Sequence, residues 1–182
     1  MKFDETIDNR LIQASKLLKS SLYSFDIACK GVFSPYEYIT FKEVLEHARY
    51  HTKHSYFVWC HTDVVLTKDP FEGLPEGVNY GFHRIERPSG EVCKGIDMYR
   101  IDNDLWDNVL TKDVPDLYLG GTHIDWWLSR ACQKYGQYEN LTGYIDHPSH
   151  ERTPTSAGSD ERGKHNIKEY NEWADRHNIS KT

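Results

Sequence analysis

Apolar positions along this chain recur with two periods, about 3.6 residues in some stretches and about 2 in others. Over 8–21 the spacing of Leu11, Ile12, Ala14, Leu17 and Leu18 predicts a helix, with Asp8 as its N-cap. A short strand is expected over 23–33. Thr40 then opens a second helix over 41–51, with Val44, Leu45 and Ala48 inward, and Glu43 completes a capping box. The run Tyr56-Phe-Val-Trp-Cys-His61 is aromatic and β-branched with almost no charge, which suits a strand buried on both faces.

After Asp63 the chain turns at Asp69-Pro70, where a short helix ending near Gly73 is expected. Strands follow over 78–85 and 95–101, separated by a Pro88-Ser89-Gly90 turn. On the second of these, Ile96, Met98 and Arg100 share one face, with Asp97, Tyr99 and Ile101 on the other. A helix is predicted over 103–110, capped by Asn103 or Asp102. Gly120-Gly121 breaks the chain before a strong helix over 122–135, which Gly136 closes. A last strand over 137–145 leads into Asp146-His147-Pro-Ser-His150. Residues 153–163 read as a mobile loop rich in Ser, Thr, Gly and Pro. A terminal helix over 164–177 turns Tyr170 and Trp173 inward.

Helix and strand alternate from the start, and that order implies an α/β fold. The expected architecture is a mixed, mostly parallel sheet with helices on both faces and the 56–61 strand at its centre. With 182 residues the chain has room for one domain, 1–182, with a sizeable core.

Composition narrows the chemistry. A net charge of -6 argues against nonspecific nucleic-acid binding by bulk charge. No apolar run approaches the ~18 residues needed for a membrane span, and Met1-Lys-Phe-Asp-Glu-Thr6 lacks the apolar core of a secretory leader. Cys29, Cys60, Cys93 and Cys132 are scattered with no C-x-x-C pair, as reduced packing residues in a cytoplasmic protein would be. The 5 Trp and 12 Tyr serve a core, and they are also surfaces on which sugars and bases stack.

Three groups of residues carry candidate chemistry. Asp63, with Thr62 and His61 beside it, ends the apolar strand, where open α/β sheets place their ligands; a strand-ending turn Asp is the alternative. Asp125 lies in the first turn of a helix, where an acid is stabilised by the dipole in any case. Trp126 and Trp127 follow it, and a carboxylate beside indole rings is a common way to hold a sugar. His147 and His150 stand three apart at a strand end and, with Asp63, would form a mixed ligand set suited to Mn²⁺ or Mg²⁺. Asp97 either binds a substrate hydroxyl or pairs with an arginine such as Arg84.

In order, these motifs resemble those of the type-A glycosyltransferase-like (GT-A-like) family. The resemblance rests on His61-Thr-Asp63-Val64 ending the apolar strand and on Gly95-Ile-Asp97-Met-Tyr99. It continues through Gly120-Gly-Thr-His-Ile-Asp125-Trp-Trp127-Leu128, His147-Pro-Ser-His150 and His165-Asn166. It implies a nucleotide-sugar donor, with Asp63 and His147 at a divalent cation or the donor ribose. It also implies a carbohydrate or other hydroxyl acceptor facing Asp97 and Asp125, one of them as general base. Thr62, Gly121, Trp126 and Trp127 would contact substrate.

Two features depart from the family pattern. His61-Thr62 replaces the usual acid or Asn, and little precedes the 8–21 helix where the nucleotide base is usually held. A reduced donor pocket, a site completed by a partner chain, or loss of transferase activity would each follow. The reading is thus a metal-dependent glycosyltransferase; the alternative is a noncatalytic carbohydrate-binding or assembly protein.

Overall fold

The computed structural model describes residues 40–51, 55–61, 64–70, 72–110, 112–119, 121–148 and 160–180. The helix expected over 8–21 and the strand over 23–33 lie outside the described residues. The described chain falls into two compact units. One is formed from residues within 57–101 and 138–148, and the other from residues within 40–56, 102–137 and 160–180.

The first unit is a five-stranded sheet of β1 (Tyr56–Cys60), β2 (Val65–Leu66), β3 (Val78–Arg87), β4 (Val92–Asp102) and β5 (Gln137–Pro148), in the order β1-β4-β3-β5-β2. This overturns the expected architecture. The sheet is mixed and strongly curled into a half-barrel, not a mostly parallel layer with helices on both faces. Among the described residues β1 forms its edge, and all five of its residues are half-buried, so the apolar run is not the central strand. The middle position belongs to β3.

The physical reason lies in the 88–90 turn. Strands joined by so short a connection must pair antiparallel, and β3 and β4 do, from Tyr80 opposite Arg100 to Ile85 opposite Val92. β2 and β5 are antiparallel as well, with Val65 opposite Asp146. Phe82 faces Met98 and His83 faces Ile96, so Asp97 is the extra residue of a bulge, and a second irregularity follows before Ile85. Bulges bend a strand and raise its twist, in keeping with the curl.

One core cluster of this unit joins Val64, Val78, Tyr80, Phe82, Met98 and Ile145. Arg100, fully buried beside it, donates to the carbonyls of Pro70, Leu74 and Pro75 and lies over the Tyr80 ring. The loop held this way contains no helix among its described residues: Pro70, Glu72 and Gly73 lie in turns. Gly81 is required on β3, because a Cβ there would collide with the Tyr138 hydroxyl and come within 2.8 Å of Asn140 Oδ1.

The second unit holds the helices α1 (Phe41–His51), α2 (Asn103–Leu105, continuing as a π-helical turn, Trp106–Leu110), α3 (Ile124–Tyr135) and α4 (Glu161–Arg176). The capping box is present: Glu43 Oε2 accepts from Thr40 N at 2.7 Å, and Thr40 Oγ1 accepts from Glu43 N at 3.2 Å. Helix α4 starts earlier than its apolar pattern suggests, within the expected 153–163 loop. Asp160 caps it by accepting from Gly163 N at 2.7 Å. The core here is aromatic, with Trp127 edge-on to both Phe41 and Trp173. Among the described residues no helix is long and apolar enough to cross a membrane.

Candidate functional site

Within the sheet unit, a polar chain crosses four neighbouring strands. His61 follows β1, and its Nδ1 stands 3.5 Å from Asp97 Oδ1 on β4. Arg84 on β3 donates from Nη1 to Asp97 Oδ2 at 2.7 Å and from Nε to Glu86 Oε1 at 2.8 Å. His147 on β5 donates from Nδ1 to Glu86 Oε2 at 2.7 Å. Asp97 and His147 are 3% and 4% exposed. Buried charge needs such pairing, and the bulge at Asp97 is one place where the chain supplies it.

The electrostatics follow from these contacts. Burial works to raise the Glu86 carboxyl, but the bonds from His147 and Arg84 outweigh it and hold Glu86 below the usual carboxylate range. Burial likewise pulls down on Arg84, and Asp97 and Glu86 more than compensate, so the guanidinium stays charged.

Asp97 therefore has an Arg84 partner, the structural alternative that the sequence left open. His147 lies inside β5 rather than beyond its end, because the strand runs three residues further than its alternation suggested. Its Nδ1 is braced by a carboxylate, the arrangement that orients imidazoles toward metals through the other nitrogen. Among the described residues, though, no three His, Cys, Asp or Glu side chains are grouped so as to hold a metal ion. Thr62, Asp63 and His150 lie outside the described residues. The described part of the set thus amounts to one imidazole.

The second constellation belongs to the helical unit. Gly121 and Thr122 lead into His123, whose φ of 76° places it in the left-handed region just before α3. That conformation is uncommon for a residue with a side chain, and His123 makes no side-chain cap bond to the helix. Its Nδ1 lies 3.0 Å from Thr122 Oγ1. Its ring meets Trp126 at 5.4 Å and Tyr170 of α4 at 5.2 Å between centroids, and Trp126 stands edge-on to Tyr170 at 6.4 Å. Trp126 is 45% exposed, whereas Trp127 is fully buried, so of the two indoles only Trp126 offers a face to a ligand.

Asp125 sits in the first turn between them. Burial lowers the His123 pKa, against a smaller upward pull from Asp125, and the imidazole favours its neutral form. The hydroxyl of Tyr170, behind this patch, is buried and has no hydrogen-bond partner among the described residues. An indole face beside a carboxylate and a neutral imidazole can stack an apolar sugar face while accepting hydroxyl protons.

The structure thus brings Asp97 and His147 into one network, and Gly121, Asp125 and Trp126 into one turn of chain. The sequence pattern did not single out Glu86 or His123 as site residues. Glu86 alternates with Arg84 on a readable strand, but no local signal ties His123 to the distant Tyr170. No family model matches the chain, and no curated protein or solved structure matches it either.

Proposed function

We propose that the protein binds a carbohydrate acceptor at Trp126 and Asp125 and transfers to it a sugar from a nucleotide-sugar donor. The observation that carries this reading is the exposed Trp126 indole, set in an aromatic cluster with His123 and Tyr170 directly after Asp125. Asp125 then serves as the base that takes the proton of the acceptor hydroxyl, and Trp126 holds the sugar ring. The ordered resemblance to type-A glycosyltransferases supports the donor class. It also supports Asp63, His147 and His150 as ligands of Mn²⁺ or Mg²⁺, which would neutralise the donor diphosphate. The brace of Glu86 on His147 fits that role. The scattered cysteines, with no C-x-x-C pair in the sequence, support a cytoplasmic setting.

The second reading is a noncatalytic carbohydrate-binding or assembly protein. It is favoured by the pairing of Asp97 with Arg84 and of Glu86 with His147, which commits these carboxylates to holding the sheet together. Titration calorimetry with Mn²⁺ and a panel of nucleotide sugars separates the two. Metal-dependent binding of one donor is the expected result; saccharide binding without any donor binding would favour the second reading.

A further inference from the structure

We infer that Asn166 is the residue that positions the Trp126 platform, acting through the backbone of Tyr118 and Thr122. The inference rests on the carbohydrate reading above and deepens it. Asn166 lies on α4 and is fully buried. Its Oδ1 accepts from Tyr118 N at 2.7 Å, while Nδ2 donates to Tyr118 O at 2.9 Å and to Thr122 O at 2.8 Å. One carboxamide therefore grips both ends of the turn that delivers His123. The His123 side chain makes no cap bond to α3, whose first turn is tied to His123 only through its carbonyl, which accepts from Trp127 N at 3.0 Å, so the grip on Thr122 is what holds the left-handed residue in place.

Neighbouring features agree. A Cβ on Gly121 would lie 2.5 Å from Asn166 Nδ2 and 3.2 Å from Arg162 O, so the turn is pressed directly onto α4. His165 stacks on Tyr118 at 4.1 Å and reaches the Asp116 carbonyl at 2.6 Å. Tyr170, one helical turn beyond Asn166, meets both His123 and Trp126. An amide that bonds three backbone groups of one turn at once is hard to replace, because no other side chain presents one acceptor and two donors in that geometry. Asp at this position keeps the acceptor for Tyr118 N but sets a carboxylate against two carbonyls.

The test compares wild type with Asn166→Ala, Asn166→Asp and Gly121→Ala, at a temperature where unfolding curves show each fully folded. Three quantities are read: saccharide affinity, the Trp126 indole NMR shift (assigned with Trp126→Phe), and hydrogen exchange of amides 118–123. Both Asn166 variants should bind saccharide about tenfold more weakly, shift the indole signal and exchange at least tenfold faster at 118–123, with α1 amides unchanged. Gly121→Ala should move all three the same way, by about threefold. A merely structural Asn166 would lower the melting temperature and leave affinity and indole shift of the folded protein as in wild type, which overturns the proposal. If wild type binds no saccharide, the carbohydrate reading fails separately, and unchanged indole shift and exchange still overturn the role of Asn166. If the Asn166 variants do not fold, wild-type behaviour of Gly121→Ala does so.

Discussion

Arg84 and Asp97 stand on neighbouring strands with 2.7 Å between Nη1 and Oδ2, and the residue that makes this approach possible is a bulge. Removing Asp97 strips Arg84 of one of its two carboxylate partners and leaves Glu86 alone to pair with it. Asp97→Ala should therefore cost on the order of 3 kcal/mol in urea denaturation, and a double replacement by apolar residues should cost less than the two single changes added together. Simple additivity would show that the pair is not coupled.

Glu86 makes the sheet acid-sensitive. Its carboxyl is held below the usual range by His147 and Arg84, against the upward pull of burial. A depressed folded pKa stabilises the fold above the unfolded value and loses that contribution as pH falls through the folded one. Stability should thus decline below about pH 4.5, and Glu86→Gln should flatten that part of the profile. A profile identical in the variant would contradict the assignment.

The three described cysteines should react unequally. Burial pushes the Cys132 thiol up to about 12, whereas Cys60 and Cys93 are half-buried. Thiolate is the reactive form, so a thiol reagent should label the more accessible Cys93 in the native protein and reach Cys132 only after unfolding. Mass spectrometry of the labelled peptides reads this directly.

His123 should titrate below the ordinary value of about 6.5, since burial outweighs the pull of Asp125. Its contribution to stability is present above that value and lost as pH falls through the lower one. Replacing Asp125 with Asn removes the upward pull and should lower the NMR midpoint further. A midpoint that rises in Asp125→Asn would rule out the contact.

Some of this architecture is legible in the residues and some is not. Thr40 and Glu43 announce their capping box, and the 122–135 pattern gives α3 to within two residues, because such signals are local. The Pro88-Ser89-Gly90 turn already dictates an antiparallel β3–β4 pair, a sign outweighed in the sequence by the alternation of helices and strands. The apolar 56–61 run could not reveal its edge position, since half-burial on both faces and full burial select the same residues. Arg84 was within view as a partner for Asp97, but a bulge leaves no periodic trace. The grip of Asn166 on Thr122 spans 44 positions, and only tertiary packing brings them together.

If Asp125 and Trp126 form the acceptor side of a sugar transferase, donor binding and transfer must separate when either is replaced. The decisive experiment follows donor binding and nucleotide-diphosphate release together in wild type, Asp125→Asn and Trp126→Ala. Asp125→Asn should bind the donor as wild type does and lose on the order of a hundredfold or more in transfer, in line with the loss of a general base. Trp126→Ala should keep donor binding and weaken the acceptor alone. Transfer at the wild-type rate in Asp125→Asn, or no donor bound by wild type in the presence of Mn²⁺, would contradict the assignment.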